Sequence, residues 1–272
     1  MYVRPTAPLS IGGVIDDAIK LYLTSFSRCW PIALVAALIS VALSLTLTPQ
    51  LPQSFANGRE ALEQMLAVER SPWFLGSSLL LLLVSLLFHG ALLARQNAVA
   101  RNDESFTFAR ALATGVRKLP SMVVAGVILL LIVTLGLVAL IIPGLYLIGR
   151  LVLWMPALFV DDAGPLESVE TTWKLTRGHW WRAAAIVTVA VIIVLVFSFV
   201  LSTVAGLIAG LSTAFGHGGL SGRLHALQLI SAATNIITLP MAPALWLAMY
   251  NDFKLRREGG DLAARVGALP SA

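Results

Sequence analysis

The sequence predicts an all-α, polytopic membrane protein with six transmembrane helices. Three observations carry this prediction. The chain is 58% hydrophobic and only 12% charged, where an ordinary soluble domain is about 25% charged. It contains repeated apolar runs of about 20 residues, the length a helix needs to cross a hydrocarbon core about 30 Å thick. Its basic residues crowd into alternate connections between those runs, as the positive-inside rule requires. The short alternating segments of a β-barrel are absent from the sequence.

Residues 1–9 form an irregular leader with Pro5 and Pro8, and Ser10 is placed to cap a helix. Ile11, Ile15, Ala18, Tyr22 and Phe26 then recur at helical spacing, with Asp16, Asp17 and Lys20 largely on other faces. This is the pattern of an amphipathic helix lying at a membrane surface. The first membrane helix is expected at about 30–48, with Trp30 as an interfacial aromatic and Pro31 in the first turn. Because this run follows Asp16 and Asp17 and is long enough to span, it reads as a retained helix rather than a cleaved signal. A polar connection with a short helix near Leu62 to Glu69 leads to a second membrane helix at about 73–94.

Ser105 to Lys118 is a second amphipathic stretch, with Phe108, Leu112 and Leu119 on one face and Arg110, Thr114 and Arg117 on the other. A third membrane helix is expected at about 121–142, opened by Pro120 or Ser121. Pro143-Gly144 reads as a tight turn into a fourth, at about 145–160, which contains Arg150. Asp161 and Asp162 follow and are expected to serve the next helix N-terminus, where negative charge is favoured. Gly164-Pro165 marks a helix start. Leu166, Val169, Trp173 and Trp180 make its apolar stripe, Glu170 and Lys174 a favourable i,i+4 pair, and Gly178 its stop.

His179 to Arg182 forms a basic, aromatic collar below a fifth membrane helix at about 183–211. Trp30, Trp173, Lys174, Arg177, Trp180, Trp181 and Arg182 are therefore the expected membrane-interface anchors. Gly206 and Gly210 have GxxxG spacing, read chiefly as close packing within the chain and secondarily as a dimer contact. A Gly-rich loop with His217 and His225 precedes a sixth membrane helix at about 227–250, where Pro240 and Pro243 should bend the chain. Residues 1–254 make one membrane domain, and 255–272 are expected to be a poorly ordered cytoplasmic tail.

The charges orient the chain. Arg4, Lys20, Arg28, the group from Arg95 to Lys118, the group from Lys174 to Arg182, and the tail basics all fall on one side. Only Arg59, Arg70 and Arg223 fall on the other, so both termini are expected to be cytoplasmic. The three amphipathic stretches then share that side, each before an odd-numbered span, a pattern compatible with a pseudo-threefold repeat of helical hairpins.

The amino-terminal PLSIGGVIDDAIKLYLTSF and the later GPLESVETTWKLTRGHWWR resemble the paired signatures of a bacterial membrane-domain family named after glycerophosphoryl diester phosphodiesterases. The positions that carry the resemblance are Gly164, Pro165, Leu166, Trp173, Leu175, Thr176, Gly178 and Trp181. It implies a stand-alone membrane portion in a bacterial inner membrane. The family's hydrolytic domain has no room in this sequence, so the resemblance implies no activity.

The residues themselves point to no catalysis: there is no HExxH, no P-loop and no recognisable nucleophile grouping. Neither a cofactor nor a metal is expected, because Cys29 is alone and His217 and His225 lack a third ligand. A net charge of +5 beside apolar runs suits anionic lipid rather than nucleic acid. The sharpest residue is Arg150, a charge inside a membrane run without an acidic partner in any run. Residue counting places it near Asn235, as a polar pocket, with snorkelling to headgroups as the alternative. The sequence reading is a non-catalytic scaffold or lipid-associated protein that binds membrane lipid and has scope for a homo-oligomer or protein partner. A transporter or lipid-handling protein with a site at Arg150 and Asn235 is the second reading.

Overall fold

The computed structural model describes residues 2–47, 58–215 and 230–267. All regular structure among them is helical, and six helices are long and apolar enough to cross a membrane. The protein is a multi-pass helical membrane protein. In chain order its elements are α1 (Ile11–Leu47), α2 (Gly58–Glu69), α3 (Pro72–Ala100), α4 (Phe108–Ala139), α5 (Ile141–Leu151), α6 (Trp154–Val160), α7 (Pro165–Thr176), α8 (Trp180–Phe215), α9 (residues 230–238) and α10 (Met241–Gly267).

The first two amphipathic stretches are not separate helices. Residues 11–47 form one helix through Pro31, and residues 108–139 form another through Pro120. Each proline removes one backbone donor, but a helix among neighbours in a membrane tolerates that loss. Both segments continue as helix on either side, with nothing but a proline to divide them. Only the third amphipathic stretch, α7, stands apart, because Gly178 at φ +80° turns the chain before α8. The three units of the expected repeat therefore differ in construction.

Other boundaries moved for equally local reasons. Ser10 does cap α1, its Oγ accepting from Gly13 N at 3.0 Å. Pro143-Gly144 is not the turn between α4 and α5. The break is the extended Leu140, and Pro143 lies in the first turn of α5, where its missing N–H costs nothing. Gly144 instead allows contact: a Cβ there would overlap Leu137, and one at Gly136 would lie 2.5 Å from Leu147 Cδ1. The α4–α5 hairpin thus closes glycine against glycine.

The sixth span breaks at Leu239-Pro240, as its prolines suggested. Side chains from other helices serve the carbonyls at this break. Tyr22 donates to Ile237 O at 2.9 Å, and Gln96 donates to Pro240 O at 2.8 Å. Beyond it α10 runs on to Gly267, so 255–267 is helical where a poorly ordered tail was expected. His217, His225 and Arg223 lie outside the described residues.

The packed core sits toward one end of the bundle. Burial on α3 begins only at Phe88, α6 is buried from Met155 to Leu158, and α10 is buried at Leu247 to Phe253. The opposite halves of α4, α5 and α8 present Leu130, Leu135, Ile142, Val196 and Phe199 outward. The spans are thus tied at one end and bare toward the other, as expected of helices solvated by lipid.

Candidate functional site

The tied end is built from ion pairs that join distant segments. Asp252 of α10 is its centre, with its side chain 1% exposed. Its Oδ2 accepts from Arg182 Nε and Nη2 at 3.0 and 2.8 Å and from Arg256 Nε at 3.1 Å. Its Oδ1 accepts from Leu9 N at 2.8 Å, while Leu9 O accepts from Arg182 and Arg256. Arg4 donates to Asn251, and Tyr2 donates to Asp17 at 3.0 Å. The leader is thereby strapped across α8 and α10.

Asp161 and Asp162 do not cap α7. Asp161 accepts from Lys254 Nζ at 2.7 Å and from Tyr250 Oη. Asp162, at φ +57°, pairs with Lys118. The N-terminus of α7 is closed by Glu167, whose Oε2 accepts from Gly164 N at 3.2 Å. Burial pushes the Asp161 carboxyl up, but Lys254 and Tyr250 outweigh it and hold the group below the usual carboxylate range. Lys118 does the same for Asp162. Along the chain these acids looked like caps because their true partners are far away in sequence.

Arg150 lies in the last turn of α5 and is 3% exposed. Its guanidinium carbon sits 4.2 Å from the Trp173 ring centroid and 5.7 Å from that of Tyr146. Three elements converge on it. From α7, Trp173 stacks over the cation and Thr176 Oγ1 donates to Arg150 O at 3.0 Å. From the start of α8, Trp180 Nε1 donates to Tyr146 O at 3.0 Å and stacks on Tyr146 with 5.5 Å between centroids. Gly149 makes room, since a Cβ there would lie 2.7 Å from Trp180 Nε1. Arg150 Nε is buried without a hydrogen-bond partner.

The expected pairing with Asn235 is not what surrounds Arg150. Asn235 is exposed on α9, and among the described contacts it is no partner of Arg150. The depth count took Gly144 as the start of the span, whereas α5 starts at Ile141 and Arg150 lies in its last turn, where α7 reaches it. The arginine meets α7 instead, so Arg150 and the Asp161–Arg182 stretch form one place. Of the expected interface anchors, Trp30, Trp173, Lys174, Arg177 and Trp181 are exposed, and Trp180 is half-buried beside Arg150. Arg182 is committed to Asp252, and Lys174 pairs with Glu170.

A second feature was not foreseen. An apolar cleft of about 340 Å³ lies between α1, α8 and α10. Ile15, Ala18 and Tyr22 line it from α1, Val187, Val191 and Leu195 from α8, and Met241, Leu245 and Trp246 from α10. It exists because α8, the most apolar of the six spans, is buried over only 6% of its apolar window. It leans on the bundle through Ala183, Ile186 and Ala190 and then departs from it. A Cβ built at Gly206 or Gly210 would meet nothing within 4 Å among the described residues.

Among the described residues no group of three His, Cys, Asp or Glu could hold a metal ion. No family model, curated protein or solved structure matches the chain.

Proposed function

We propose that the protein is a non-catalytic, lipid-associated membrane protein that holds phospholipid acyl chains in the cleft between α1, α8 and α10. The observation that carries this reading is the cleft itself. At about 340 Å³ it has the size of a ligand pocket, yet its lining offers almost no polar group. It opens sideways between spans, where the surrounding solvent is hydrocarbon. Tyr22, the one hydroxyl in the wall, is already spent on Ile237 O. The acids at the tied end are engaged too, Asp252 with two arginines and Asp161 with Lys254. A structural role for them supports scaffolding over catalysis.

The setting we propose is a bacterial inner membrane with both termini in the cytoplasm. The basic leader, the α7–α8 link and the start of the tail meet around Asp252, which supports one common side for the positive segments. Membership in the glycerophosphodiesterase membrane-domain family is proposed on the two signature segments alone.

The test is retained lipid. Native mass spectrometry of the purified protein is expected to show tightly held phospholipid. Val191→Trp, at an exposed position of the cleft wall, is expected to remove at least half of it while the protein stays folded. Equal retention by both proteins would reject the cleft as the lipid site.

A further inference from the structure

The guanidinium of Arg150 is the most deeply buried arginine head in the described chain, at 3% residue exposure. Its neighbours are an unusual set for a cation. Two aromatic rings face it, and its own carbonyl is taken by Thr176. Among the described residues no carboxylate pairs with it and no acceptor reaches any of its donors, and Nε is buried without a partner. The acids of α7 and of the turn before it have other partners, Glu170 in Lys174 and Asp161 in Lys254. Arg95 also has an unpartnered Nε, but that residue is only half-buried.

A buried Nε–H without an acceptor is costly, and the natural complement of the guanidinium fork is a phosphoryl group. Stacking on Trp173 compensates for part of the desolvation but satisfies none of the N–H groups in the guanidinium plane. The surface around the fork tells which phosphoryl compound fits. The two rings that wall the cation, Trp173 and Tyr146, are each 40% exposed, so the way in is lined by aromatic surface that a small hydrated anion would have to cross. A phospholipid brings its phosphate at that surface with chains that match it. The exposed Arg177 adds a second positive charge at the end of α7, which favours a lipid of net negative charge.

We propose that Arg150, walled by Trp173 and Tyr146, binds the phosphate of an anionic phospholipid. This is separate from the acyl-chain cleft: it concerns a charged headgroup and a different face of the fourth span.

The experiment is native mass spectrometry with three probes: dioleoyl phosphatidylglycerol, dioleoylglycerol and inorganic phosphate. The wild type is expected to bind phosphatidylglycerol at least about tenfold more tightly than dioleoylglycerol, the scale of one charge-assisted hydrogen-bonded contact. Arg150→Gln is expected to erase that preference, and Arg150→Lys, which keeps charge but loses the fork, to retain part of it. Should Arg150→Gln not fold, Arg150→Lys and Trp173→Leu decide, each expected to narrow the preference at least threefold. Val191→Trp is expected to leave the preference intact, so failure of the cleft reading would not mimic failure here. An unchanged preference in the Arg150 variants overturns the proposal. Inorganic phosphate that competes phosphatidylglycerol off at equal affinity would also overturn it, by assigning a free anion instead.

Discussion

Arg182 donates two hydrogen bonds, from Nε and Nη2, to a single carboxylate oxygen of Asp252 across 70 residues of chain. The carboxylate is 1% exposed and the arginine side chain 16%. This pair clamps the foot of α8 to α10 and, through Leu9, holds the leader across both. Removing the acid would leave two arginines and a backbone donor facing a buried gap. Asp252→Ala is therefore expected to destabilise the protein by about 3 kcal/mol, the cost of breaking rather than replacing a buried pair. Thermal unfolding in detergent checks this, and a melting temperature within a degree of wild type would count against the clamp.

The α4–α5 hairpin makes a prediction with an internal control. Gly144→Ala must displace Leu137, and overpacking of this kind costs about 1–3 kcal/mol. Gly206→Ala and Gly210→Ala meet nothing within 4 Å and are expected to melt as wild type does. If the α8 variants were the damaging ones, those glycines would be packing against something outside the described residues.

The break between α9 and α10 depends on two borrowed donors. Gln96→Leu leaves Pro240 O without its hydrogen bond at a buried position, and a lost partner there costs about 1–3 kcal/mol. Tyr22→Phe removes the bond to Ile237 O and is expected to cost about 1 kcal/mol. Hydrogen exchange should show faster opening around residues 237–244 in both variants. Unchanged protection would mean that these carbonyls are served some other way.

Acid should loosen the tied end in a predictable direction. The folded state holds Asp161 and Asp162 below the ordinary carboxylate range, through Lys254 with Tyr250 and through Lys118. The unfolded chain binds protons first as pH falls, so their contribution is complete above about pH 4, the unfolded value. It is lost as pH drops through the lower folded values. A melting series from pH 7 to pH 3 is expected to fall at its acid end, and Asp161→Asn to flatten that fall. A variant that keeps the full acid limb would show that other groups cause it.

Much of the fold could be read along the chain, because span length, apolar composition and proline position act locally. The six spans, the helix starting at Pro165 and the break at Pro240 needed nothing else. What escaped the reading were choices made between distant residues. Whether Pro31 ends a helix depends on neighbours that stabilise the surrounding turns. Asp161 has the local setting of a cap and becomes a partner of Lys254 only after the sixth span returns beside it. Arg150 and Asn235 seemed level when the fourth span was counted from Gly144, yet α5 starts at Ile141, Arg150 sits in its last turn, and Trp173 of α7 stacks over it. The lateral cleft was illegible for a related reason: an apolar helix has the same composition whether it is packed or splayed.

That splayed helix is where the account is most exposed to test. The direct measurement is photo-crosslinking in nanodiscs with a phospholipid carrying a diazirine on its acyl chain, followed by peptide mapping. Adducts are expected to concentrate on the cleft walls, at residues 15–22 of α1, 187–195 of α8 and 241–246 of α10. Adducts spread evenly over the bare outer surfaces, such as Leu130 to Ile142, with no excess at the cleft, would contradict it.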